Sequence, residues 1–128
     1  MSDVMVDTSA WIDYFRGRKG AATDLLDALL DADRAVLCGV VEMELLRGVR
    51  PGERSKLRSL LGALRFVETE RRDFVAAGER LSQLREKGVS IPATDAVIAM
   101  VCKRHGLFLL TLDEHFHHLP EVRLLCKA

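Results

Sequence analysis

Three acidic residues stand where an α/β chain would keep a reactive centre, and a fourth lies in a helix nearby. Asp7 directly follows the apolar run Val4-Met5-Val6, Asp113 follows Leu109-Leu110-Thr111, and Asp95 opens a long apolar stretch. Glu44, with Glu42 close by, lies just beyond the run Ala35 to Cys38. Ligands of open α/β sheets bind beyond the carboxyl ends of the strands, where the loops gather. Carboxylates held together there repel one another and raise each other's pKa unless a cation sits among them, and hard oxygen donors favour Mg²⁺ or Mn²⁺. Each acid also has a plainer use. Asp7 can cap the helix that follows it, Asp95 can answer a helix dipole for about 0.3–1 kcal/mol, and Asp113 can cap the turn Glu114-His115-Phe116. Taken singly, capping explains each as well as chemistry does. Between Glu42 and Glu44 the apolar stripe Val41, Leu45, Val49 does not choose.

The elements that must position these acids follow from periodicity. Val4 to Val6 reads as a strand passing into a helix that starts on Thr8 or Ser9. Leu25, Leu26, Leu29 and Leu30 form a helical stripe, Ala35 to Cys38 a second strand, and Val40 to Val49 a helix-like run stopped near Gly48 and Pro51. Leu57, Leu60, Leu61 and Leu64 keep amphipathic helical spacing, with Arg54, Arg58 and Arg65 on another face. Phe66-Val67 predicts a short strand and Phe74 to Leu84 a helix. Thr94 to His105 is apolar almost all round, so it predicts a buried helix, with Gly106 as its C-terminal cap. Leu107 to Thr111 and Val122 to Leu125 supply the last strands. Strands alternating with helices predict an α/β fold of three layers, with a mainly parallel sheet of about five strands covered on both faces.

Composition sets the outer bounds. A chain of 128 residues, 48% hydrophobic and 30% charged, fits one globular domain over 1–128. No apolar stretch is long enough to span a bilayer, and Asp3, Asp7 and Asp13 stand where an export signal would be basic and apolar, so a cytoplasmic protein is expected. Cys38, Cys102 and Cys126 are odd in number and widely spaced, which favours reduced thiols over a disulfide framework or zinc knuckle. The net charge is zero, but Arg47, Arg50, Arg54, Lys56, Arg58, Arg65, Arg71 and Arg72 face only Glu53, Glu68 and Glu70 in their stretch. Such a locally basic segment suits a nucleic-acid backbone, although any single arginine is more ordinarily a solvated side chain.

Four strings choose among these readings. V-M-V-D-T-S-A-W-I-D from Val4, E-L-L-R-G from Glu44, P-A-T-D-A-V-I-A from Pro92 and L-L-T-L-D-E-H-F from Leu109 resemble the motifs of the PIN-domain family, in the family's order and over nearly the whole chain. The resemblance implies a PIN-like fold with Asp7, Glu44, Asp95 and Asp113 as the active-site and metal-holding acids, and L-L-R-G selects Glu44 over Glu42. It implies Thr8, Ser9 and Thr111 as supporting hydroxyls. It further implies a Mg²⁺- or Mn²⁺-dependent endoribonuclease, leaving 5′-phosphate and 3′-hydroxyl ends. Small members of the family are mostly VapC-type toxins, so a VapB-type antitoxin partner and a homodimer are expected. RNA maturation and a non-catalytic PIN-like module are the alternatives.

Other features carry less. His115, His117 and His118 have the look of a transition-metal cluster but are expected to be surface residues. Trp11 and Phe15, one helical turn apart, predict core packing or a dimer contact. A receiver domain would need an acidic pair at the first strand and a lysine after the last. A haloacid-dehalogenase-like phosphatase would need Asp-x-Asp where this chain has Asp7-Thr8-Ser9.

Overall fold

The computed structural model describes residues 2–126, apart from the Cys126 side chain, so the expected free thiol at Cys126 lies outside the described residues. Five strands form one sheet: β1 (Val4–Val6), β2 (Ala35–Cys38), β3 (Arg65–Val67), β4 (Phe108–Leu110) and β5 (Arg123–Cys126). Their spatial order is β3-β2-β1-β4-β5 and every pairing is parallel. Six helices connect them: α1 (Thr8–Phe15), α2 (Ala21–Asp31), α3 (Gly39–Gly48), α4 (Arg54–Gly62), α5 (Arg71–Glu86) and α6 (Ala93–His105). Short 3₁₀ turns lie at Pro51–Glu53 and Glu114–His118.

Burial explains the parallel arrangement. All residues of β1 and β2 are buried, as unbroken apolar runs must be when helices cover both faces. The chain winds from β1 through β2 to β3 in one direction, then returns across the sheet to β4. Right-handed crossovers therefore place α1 to α4 on one face and α5 and α6 on the other. The central helix α6 is buried continuously from Asp95 to Cys102, which is why its sequence shows no polar face. It ends on Gly106 in the left-handed region at φ 66°. There Leu107 N–H reaches the Cys102 carbonyl at 2.9 Å and Gly106 N–H the Lys103 carbonyl, so the last turn's orphan acceptors are satisfied.

One packing feature lay beyond periodicity, and another follows from it. Asp73, only 2% exposed, accepts from the Glu70 N–H at the start of α5 and from Arg104 of α6 at 2.7 and 2.8 Å, which ties the two helices together. Trp11 is fully buried and stacks on Phe15 at 5.6 Å, so core packing accounts for the indole, whereas Phe15 stays 45% exposed.

Candidate active site

The strand order changes direction at β1. From there β2 lies on one side and β4 on the other, so the crevice at the carboxyl ends of β1 and β4 is the topological switch point of the sheet. Asp7 leaves β1 at this point, with its N–H donating to the Leu110 carbonyl of β4 at 2.9 Å. Its backbone carbonyl starts α1 by accepting from Ala10 and Trp11, yet its carboxylate makes no capping bond. That carboxylate accepts instead from Thr111 at 2.7 Å and from Ser9 at 2.9 Å. Asp7 is thus a helix N-cap by position but has its charge aimed into the crevice.

The hydroxyls form a scaffold beneath the acids. Ser9 Oγ accepts from the Leu112 N–H at 3.0 Å, and Thr111 Oγ1 accepts from the Asp113 N–H at 3.0 Å. Together they fix the path of the chain as it leaves β4. Thr8 donates to Glu44 Oε1 at 2.8 Å, which turns Glu44 of α3 toward the same end of the sheet. This contact separates Glu44 from Glu42, a choice that helical periodicity leaves open.

Asp95 enters from the opposite layer, in the first turn of α6, and is only 6% exposed. Burial raises its pKa from 3.8 to about 6, and the charges of Asp113 and Asp7 add to the rise. Asp7 is raised as well. Its burial outweighs the hydrogen bonds from Thr111 and Ser9, and Asp113 contributes repulsion. Asp113 caps the Glu114–His118 turn, accepting from the His115 N–H at 3.0 Å, so its structural use is real and coexists with its place among the acids.

His115 is solvent-accessible, as expected of a surface residue, but it is not without partners. Its Nδ1 lies 3.0 Å from Asp95 Oδ2 and 2.8 Å from Asp113 Oδ1, so it bridges the two carboxylates rather than standing off on the surface. Desolvation works to lower its pKa, but the hydrogen bond to Asp95 and the charges of Asp113 and Asp95 win and raise it. The sequence signal was the Asp-x-His spacing: a 3₁₀ turn capped by Asp113 carries the residue two positions on back over the capping carboxylate. His117 and His118 are exposed too and, among the described residues, make no such contact. Among the described residues, Asp95, Asp113 and His115 are the group whose donor atoms all fall within 4.8 Å of one another.

Comparison with known proteins agrees with this layout. The PIN-domain family model matches residues 4–122, which takes in all four acids and strands β1 to β4. The chain belongs to the PIN-domain family. PIN-domain relatives include Ribonuclease VapC11 of Mycobacterium tuberculosis, 30% identical over 130 residues that cover 98% of this chain and 97% of that one. Ribonuclease VapC21 of the same organism is 27% identical over 92% of this chain and 86% of its own. VapBC2 from Rickettsia felis, solved bound to a DNA fragment from its promoter, superposes with a TM-score of 0.79 at 21% identity, covering 98% of both chains. The sarcin-ricin-loop-cleaving toxin VapC20 of Mycobacterium tuberculosis gives 0.68 at 18% identity, over 94% of this chain and 99% of that one. At such identities these two structures speak for the PIN fold alone.

Proposed function

We propose that this chain is a divalent-metal-dependent endoribonuclease that acts as the toxin of a VapBC-type pair, with 1–128 as one catalytic unit working in the cytoplasm. The observation that carries the reading is the closeness of Asp7, Asp95 and Asp113 at the switch point, where burial and its neighbours' charges raise Asp95 to about 6, with Glu44 tied to Thr8, the residue after Asp7. Such a cluster is costly without a counter-charge, and its oxygen donors suit Mg²⁺ or Mn²⁺. Asp7, Asp95 and Asp113 would hold the cation, with Glu44 beside them. When bound, it supplies positive charge that acidifies water and offsets charge building on a phosphodiester. Glu44, tethered by Thr8, is placed to accept a proton from the attacking water. Ser9 and Thr111 hold the Asp7 carboxylate in one orientation through the reaction.

The basic segment supports an RNA substrate. Among the described residues Arg47, Arg50, Arg54, Lys56 and Arg58 make no ion pair, whereas Arg65 meets Asp3 and Arg72 meets Glu70. The unpaired set therefore keeps its charge for phosphates. Relatives named as VapC ribonucleases support a VapB-type antitoxin as partner. Ile12, Phe15 and Met43, on α1 and α3 which pack together, are exposed apolar side chains and support a homodimer or antitoxin contact. Among the described residues no helix is long and apolar enough to cross a membrane.

The test is cleavage of a structured RNA by the purified chain with Mg²⁺, with Mn²⁺ and with chelator. Cleavage in either metal, none in chelator, and products bearing 5′-phosphate ends are expected. A folded Asp7→Asn variant should lose the activity, and expression of the parent alone should arrest growth where that variant does not. If Asp7→Asn cuts as fast as the parent, the acidic site is not the catalyst.

A further inference from the structure

Resting on the metal-dependent reading, we propose that His115 is itself a ligand of the cation, through Nδ1, and that it tilts the site toward Mn²⁺ over Mg²⁺. The geometry is the first argument. Adjacent corners of an octahedron with metal–ligand bonds of about 2.0–2.1 Å lie about 2.8–3.0 Å apart. His115 Nδ1 stands 2.8 Å from Asp113 Oδ1 and 3.0 Å from Asp95 Oδ2, and all three donor atoms lie within 4.8 Å. Three donors so spaced fit three corners of one coordination shell, with His115 next to both carboxylates, and leave the rest open to water, Asp7 and substrate.

The second argument is that hydrogen bonding does not account for the arrangement. Nδ1 carries either one hydrogen or one lone pair, so it cannot make a well-directed hydrogen bond to both carboxylates at once. A cation shared by all three would use both carboxylates and the nitrogen together. The ring is also held in place. The His115 N–H is fixed on Asp113 Oδ1 at 3.0 Å, and the next residue, Phe116, is 1% exposed and pins the turn to the core. The side chain is still 46% exposed, so the nitrogen can be reached from solvent.

The consequence concerns which ion binds. Carboxylate and water suit both ions, but Mg²⁺ keeps to oxygen donors whereas Mn²⁺, as a first-row transition ion, takes an imidazole more readily, so a ring nitrogen in place of one oxygen favours Mn²⁺ over Mg²⁺. The experiment uses metal titration by calorimetry, with pulsed electron paramagnetic resonance on the Mn²⁺-loaded protein, for the parent, His115→Ala and His117→Ala. Nitrogen coupling to Mn²⁺ is expected in the parent and in His117→Ala, and absent in His115→Ala. Mn²⁺ affinity of His115→Ala should fall about tenfold or more, with Mg²⁺ affinity much less changed. A parent that binds Mn²⁺ without nitrogen coupling overturns the inference and leaves the metal-dependent reading standing. A parent that binds neither ion overturns both. Should His115→Ala fail to fold, the coupling in the parent and in His117→Ala decides the matter.

Discussion

Asp95→Asn in the metal-free protein tests the site without any RNA. The folded protein holds Asp95 at about 6 against an ordinary 3.8, mainly through burial and then through repulsion from Asp113 and Asp7. A carboxyl whose folded pKa is raised costs nothing below the unfolded value, because it is protonated in both states. The cost grows as pH climbs from about 4 to about 6 and is fully present above that. A shift of about two units corresponds to about 3 kcal/mol, and the amide keeps an oxygen for His115 but forfeits attraction to its charged form, so a net gain of about 2–3 kcal/mol is expected at pH 8. At roughly 3 °C per kcal/mol for a chain of this size, the variant should melt about 6–9 °C above the parent in chelator. At pH 4 the two should melt together. Mn²⁺ at a hundredfold excess over its Kd should stabilise the parent by about 2.7 kcal/mol and the variant much less. If Asp95→Asn melts below the parent in chelator at pH 8, and Mn²⁺ does nothing for the parent, then the first-turn charge was serving the α6 dipole and the metal cage is refuted.

Asp73→Ala should cost at least about 2 kcal/mol by urea denaturation, because it removes the α5 capping box and leaves Arg104 without its buried partner, while RNA cleavage by the folded fraction stays unchanged. Arg54→Ala and Arg58→Ala should each raise KM for RNA and reduce the salt dependence of binding by about one unit of slope, with kcat held; unchanged salt dependence would place the RNA elsewhere. An NMR titration in chelator should find His115 above its ordinary 6.5, and lower again in Asp95→Asn. The stability that His115 contributes is then full below 6.5 and lost as pH rises through the folded value, so a folded value at or below 6.5 would contradict the bridged geometry.

What the sequence disclosed and what it withheld divides along physical lines. Strands β1 and β2 and helix α6 were legible because burial on all sides leaves unbroken apolar runs, and Gly106 announced the end of α6 because only glycine takes a left-handed cap cheaply. Asp7 and Asp113 stood out because they follow strands that must end at one edge of a parallel sheet, Asp7 at once and Asp113 three residues past Leu110. Glu44 was not legible from its helix, since selecting it over Glu42 depends on Thr8, which lies 36 residues away in the chain. The pairing of Asp73 with Arg104 spans 31 residues and was invisible for the same reason. His115 was missed differently. Its signal was local, but reading it required knowing that Asp113 faces Asp95, and that encounter exists only once β4 lies beside β1 and α6 is folded over them. Residues whose role comes from their own element could thus be named in advance. Those whose role comes from a meeting of two elements could be named through the resemblance alone, as Glu44 was, or not at all, as with the bridging contact of His115.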